Sequence, residues 1–129
     1  MVEPSQKPKI LLVEDDLFLI RAYQIKLESE GFELTIAKDA TEGMEKVRTA
    51  HPDLVLLDVM LPHGSGFEIL EAVKKDEMLR HIPVIILSNL GQQQDIERGL
   101  TLGAATYLIK TDVKLEDVVK TIKKYITKA

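Results

Sequence analysis

The chain contains no cysteine, which excludes a disulfide framework, a thiolate metal site and a thiol nucleophile, and suits a reducing compartment. No apolar run approaches the ~20 residues needed to span a bilayer. Met1 to Lys9 is polar with two prolines and lacks the apolar core of a secretion signal. Basic residues are not in excess; the net charge of -4 gives a summed field that repels a phosphate backbone. The lysines gathered near the end (Lys114, Lys120, Lys123, Lys124 and Lys128) read as a solvated helix face, with cations near a helix C-terminus. Glycine and proline are few, 7 and 5 in 129 residues, and with 45% hydrophobic and 29% charged residues this excludes fibrous and low-complexity chains. We expect a soluble, cytoplasmic protein with no direct nucleic-acid partner and no membrane insertion.

What is present is an alternation of two periodicities, with no internal repeat and no composition break that would mark a linker. Short β-like runs lie at Lys9 to Val13, Phe32 to Ala37, Leu54 to Leu57, Val84 to Leu87 and Tyr107 to Ile109. Several are apolar on both faces, as strands covered by helices on both sides must be. Between them the helical faces are Leu19, Ala22, Tyr23 and Leu27; then Ala40, Gly43, Met44 and Val47; then Ile96, Gly99 and Leu100; and finally Leu115, Val118, Val119, Ile122 and Ile126. Asp39 with Glu42 and Ser65 with Glu68 have capping-box spacing, and Gly31 and Gly103 stand where helices should stop. The third helix is thereby predicted over Gly66 to Lys75. Five βα units imply an α/β fold, a doubly wound five-stranded parallel sheet with five helices, for which the flavodoxin-like order 2-1-3-4-5 is the commonest choice. We expect a flexible segment at residues 1–8 and a single domain at residues 9–129.

Open parallel sheets bind ligands beyond the carboxyl ends of their strands. The residues closing those strands are telling: Glu14, Asp15 and Asp16 after the first, Asp58 after the third, Ser88 and Asn89 after the fourth, Lys110 after the fifth. Carboxylates gathered at one spot repel each other unless something positive compensates them, and Asp58 follows four apolar residues. A divalent cation is the natural compensation, and oxygen-only ligation suits Mg²⁺ or Mn²⁺. Such a site fits phosphoryl chemistry, with Asp58 as the nucleophile and Lys110 and the Ser88 hydroxyl on the transferring oxygens. Taken singly, Asp16 is a helix cap, Asp58 a strand-ending turn residue and Lys110 a surface lysine; the constellation carries the inference. His51, His63 and His81 have no metal-site spacing and read as surface residues. The Gly64-Ser65-Gly66 stretch reads as the turn that launches the third helix, and Phe18 and Ile20 are expected to be partly exposed near the acidic edge.

On these strings the chain resembles the receiver domain of two-component response regulators, the single-domain chemotaxis type included. The matching segments are Ile10 to Asp16, Pro52 to Pro62, Pro83 to Ser88 and Gly103 to Lys110, and the likeness spans Lys9 to Lys128. The resemblance implies that Asp58 accepts a phosphoryl group from a histidine kinase or phosphotransfer protein. It implies Mg²⁺ held by Asp15, Asp58 and the backbone carbonyl of Met60, with Glu14 acting through water, and Ser88 and Lys110 on the phosphoryl oxygens. It further implies a switch in which Ser88 moves toward the phosphoryl group and Tyr107 turns from exposed to buried, remodelling the face of the fourth helix, fifth strand and fifth helix for an effector protein. From the sequence alone Tyr107 is equally an edge-strand aromatic.

Three residues depart from the family pattern. Thr111 follows Lys110 where a proline, often after a cis peptide, is frequent; a cis bond before a non-proline residue costs about 2.5–4 kcal/mol. Ser88 replaces the commoner threonine, and Asn89 stands where a small residue is usual. A protein-interaction module of the same fold, working without phosphorylation, is the rival that Asn89 and Thr111 support. A phosphatase acting on free substrates lacks a second acid two residues after Asp58, where Met60 stands. Any catalysis would be self-phosphorylation and self-dephosphorylation on Asp58. The chain ends just after the fifth helix, so output is expected through a partner or a weak homodimer.

Overall fold

A computed structural model of the chain describes residues 7–126. Its elements follow in the order β1 (Lys9–Val13), α1 (Leu17–Ser29), β2 (Glu33–Ala37), α2 (Ala40–Thr49) and β3 (Leu54–Leu57), then a hairpin of β4 (Met60–Leu61) and β5 (Gly64–Ser65), α3 (Gly66–Lys75), β6 (Val84–Ser88), α4 (Gln93–Thr101), β7 (Thr106–Ile109) and α5 (Leu115–Ile126). Five strands form one parallel sheet in the order β2-β1-β3-β6-β7. This is the flavodoxin-like order 2-1-3-4-5, with helices after successive strands as expected. The expectation of a flexible start concerns residues of which 1–6 lie outside those described, as does Lys128 of the lysine cluster.

Alternation along the strands sorts the core into two layers, because successive side chains point to opposite faces. Leu11, Val13, Val55, Leu57, Val84 and Ile86 pack with Val47, Phe67, Leu70 and Val73 of α2 and α3. Ile10, Leu12, Leu54, Leu56, Ile85 and Leu87 pack with Ile20, Tyr23, Leu27, Val118 and Ile122 of α1 and α5. Each such fully buried aliphatic contributes about 1.5–3 kcal/mol, so both faces hold the sheet.

Local chemistry sets the helix ends. Asp16 caps α1 by accepting from Phe18 and Leu19 N–H, and Ser65 with Glu68 forms a complete capping box on α3. At α2 the box is only half made: Asp39 accepts from Glu42 N–H, but the Glu42 carboxylate accepts from Lys38 N–H instead of the Asp39 amide. Gly31 and Gly103 take φ of 94° and 113° at the helix ends, a conformation costly for other residues.

Two expectations are corrected and one element is added. Ile20 is buried, because α1 turns it onto the sheet, whereas Phe18 beside it is 81% exposed. Leu100 is exposed, since α4 contributes Gly99 to the interior and holds Leu100 beside it outward. The β4–β5 hairpin has no counterpart in the sequence reading, because two-residue strands carry no periodicity to detect.

Candidate functional site

Register brings the acidic residues together. Val13 pairs with Leu57 across β1 and β3, so the next residues, Glu14 and Asp58, leave the sheet side by side. Backbone bonds from Glu14 N–H to Ala37 C=O (2.9 Å) and from Asp58 N–H to Val13 C=O (3.0 Å) carry the ladder one step past the strands. Likewise Lys110 N–H donates to Ser88 C=O at 2.9 Å, fixing the root of the lysine side chain at the same rim. The Lys110–Thr111 peptide is trans, and the lysine reaches the acids without a cis bond.

The Lys110 ammonium donates to Glu14 Oε1 at 2.7 Å and to Asp58 Oδ2 at 2.9 Å. Glu14 and Asp58 are buried, at 2% and 7% exposure. Two buried carboxylates thus share one cation, an excess of negative charge that the low-dielectric rim makes expensive. Burial raises the Glu14 pKa above 4.5, opposed by the hydrogen bonds from Lys110 and the Asp16 amide and reinforced by the nearby Asp58 charge. Burial alone would lower Lys110, but the hydrogen bonds to Glu14 and Asp58 outweigh it and hold the ammonium above its usual 10.5.

Asp15 is exposed at the mouth, and one carboxylate oxygen from each of Glu14, Asp15 and Asp58 lies within 4.8 Å of the others. Three hard oxygen donors so disposed, with Met60 and open cleft beside them, fit Mg²⁺ or Mn²⁺ and offer nothing to a soft metal. The cleft, of about 300 Å³, is lined by these residues with Asp16, Ser88, Asn89 and Lys110. Asp58 Oδ1 accepts from Met60 N–H at 3.3 Å, leaving the carboxylate anchored at both oxygens.

Ser88 is fully buried; its Oγ accepts from Leu90 N–H at 3.2 Å, and its hydroxyl also lies within side-chain hydrogen-bond reach of the Tyr107 phenol. Tyr107 is half-buried on β7 and donates its hydroxyl to Leu90 C=O at 2.5 Å. Burial and the Asp95 charge raise its pKa, keeping the phenol a donor at neutral pH. The three histidines are exposed and stand outside the carboxylate cluster.

Two contributors escaped the sequence reading. A Cβ at Gly66 would collide with the Asp58 carbonyl oxygen, so α3 starts in close contact with the Asp58 backbone. Leu90 joins Ser88 to Tyr107 through its amide and carbonyl. Gly66 had a signal, its place just after Ser65 at the start of α3; Leu90 had none, since it acts through backbone groups.

The sequence matches the response regulator receiver domain family over residues 10–123. The chain belongs to that family. The polar-differentiation response regulator DivK of Brucella ovis is 33% identical over 117 residues, covering 91% of this chain and 94% of that protein. A CheY-like receiver domain from Methanospirillum hungatei JF-1 superposes with a TM-score of 0.87 at 30% identity, covering 94% of both chains. The receiver domain of a sensor histidine kinase from Pseudomonas aeruginosa PAO1, solved with a magnesium ion coordinated in its active site cleft, gives 0.84 at 26% identity, covering 94% of this chain and 98% of that one.

Proposed function

We propose that the chain is a phosphoacceptor switch in which Asp58 takes a phosphoryl group from a histidine kinase or phosphotransfer protein. The observation that carries the reading is the Lys110 ammonium held on both Glu14 and Asp58, beside Asp15. An Asp58 carboxylate oxygen forms the new bond to phosphorus as the phosphorus–nitrogen bond of phosphohistidine breaks, and the imidazole leaves with a proton from solvent. Asp15, Asp58 and the Met60 carbonyl would hold Mg²⁺, or Mn²⁺, with Glu14 acting through water. When bound, that cation neutralises charge building on the transferred oxygens. Lys110 moves from the Asp58 carboxylate to one phosphoryl oxygen, and the Ser88 hydroxyl donates to another. Tyr107 and Ser88 then relay the change to the α4, β7 and α5 face, where an effector docks. The CheY-like and DivK likenesses support this output, and the protein would act in the cytoplasm as a monomer or weak homodimer.

Acetyl phosphate with Mg²⁺ tests the reading. Intact mass should rise by one phosphoryl group in the wild type and stay unchanged in Asp58→Asn. A folded wild type that gains no mass, from acetyl phosphate or a phosphorylated histidine donor, overturns it in favour of phosphorylation-independent binding.

A further inference from the structure

A residue against which the Tyr107 ring packs lies on α4, outside the set assigned above. Gly99 is the buried residue of that helix. A Cβ built there would stand 2.7 Å from Ile86 Cδ1, 2.9 Å from Tyr107 Cδ2 and 3.2 Å from Tyr107 Cε2. Carbon atoms attract best at about 3.5–4.0 Å, so the tyrosine ring occupies the volume that a side chain at position 99 would need. The Ile86 methyl is the far end of a flexible side chain and can rotate aside. The ring cannot yield so cheaply, because its hydroxyl is tied to Leu90 C=O.

Backbone conformation does not explain the glycine. Its φ is not among the positive values, so the backbone does not require it. Glycine inside a helix is a standing cost relative to alanine, and α4 has no capping side-chain bond to offset that cost. From Gly99 the contacts run on without a break: ring against Gly99, hydroxyl to Leu90 C=O, Leu90 N–H to Ser88 Oγ, and Ser88 lining the cleft with Asp58.

We propose that Gly99 is a positioning residue of the phosphoryl site: the slot it leaves in α4 seats Tyr107 against Leu90 and thereby holds the Ser88 hydroxyl ready for a phosphoryl oxygen. The seating is independent of the phosphoacceptor reading; the effect on phosphoryl binding rests on it.

A double-mutant cycle separates the two. Gly99→Ala, Tyr107→Ala and the double variant are compared by thermal midpoint and by calorimetric titration with beryllium fluoride plus Mg²⁺, a phosphoryl analogue. Gly99→Ala alone should lower the midpoint and weaken beryllofluoride binding at least about fivefold. On the Tyr107→Ala background it should raise the midpoint, as helix propensity is regained, and change binding by less than about twofold. Should Gly99→Ala fail to fold while the double variant folds, the slot is upheld in its strongest form. Equal midpoint losses on both backgrounds, or failure of both to fold, would place the conflict on Ile86 and overturn the seating. An expected midpoint cycle with unchanged beryllofluoride affinity in Gly99→Ala would overturn the link to Ser88. A wild type that binds no beryllofluoride contradicts the phosphoacceptor reading, while the midpoints still judge the slot.

Discussion

Lys110 is the counter-ion that makes the acidic rim tolerable, and its removal is the sharpest test at the level of single residues. Lys110→Ala leaves Glu14 and Asp58 facing each other without a cation. Loss of one partner of a fully buried pair costs about 3–5 kcal/mol; the cleft here admits water, so about 2–3 kcal/mol is expected in metal-free urea unfolding. Added Mg²⁺ should recover more stability in this variant than in the wild type, because the vacated charge is what a cation replaces. Glu14 supplies the pH dependence. Burial holds its folded pKa above the unfolded 4.5, so the fold favours the protonated acid. The linked stabilisation is complete below pH 4.5 and is lost as pH rises through the folded value. In EDTA, wild-type stability should therefore decline over that rise, and Glu14→Gln should flatten the decline in urea midpoints measured against pH. These residues were legible in the sequence because each closes a strand, and strand ends share one rim. The backbone of Leu90 was illegible, for its partners Ser88 and Tyr107 meet it through amide and carbonyl groups that every residue carries.

Among the secondary elements, α1 and α4 differ in how they are held. α1 begins at the acidic cluster with Asp16 accepting two backbone amides, so the cap also fixes the loop carrying Asp15. Asp16→Ala should cost about 1 kcal/mol in urea unfolding. Where capping chemistry was explicit, boundaries were readable: Ser65 and Glu68 mark α3 at Gly66 as observed. Where it was absent, the outcome depended on tertiary packing. α4 starts at Gln93 with no side-chain cap, and it buries Gly99 and, in part, Ile96, while Leu100 points outward against expectation. The β4–β5 hairpin is likewise a product of context, formed where the chain after Asp58 turns back into α3.

On the scale of the molecule, two apolar layers clamp a parallel sheet whose carboxyl rim carries nearly all the buried charge. That division was foreseeable, since strands apolar on both faces have nowhere to place charge except at their ends. Strand order did not come from periodicity, which leaves the neighbours of β1 and β3 open; the expected 2-1-3-4-5 rested on its being the commonest order for such a sheet, and the observed pairings agree with it. The arrangement puts Asp58 at the end of a central strand, braced on both faces, while α4 and β7 lie toward one edge.

The most direct measurement is the position and metal dependence of the acyl phosphate. Protein treated with acetyl phosphate is reduced with borohydride, which converts a phosphorylated aspartate to homoserine, and digested for mass mapping. The expected result is homoserine at position 58 and nowhere else, formed with Mg²⁺ and abolished by EDTA. Modification at another carboxylate, or equal labelling of Asp58 in EDTA, would contradict a cation-assisted acceptor at this rim.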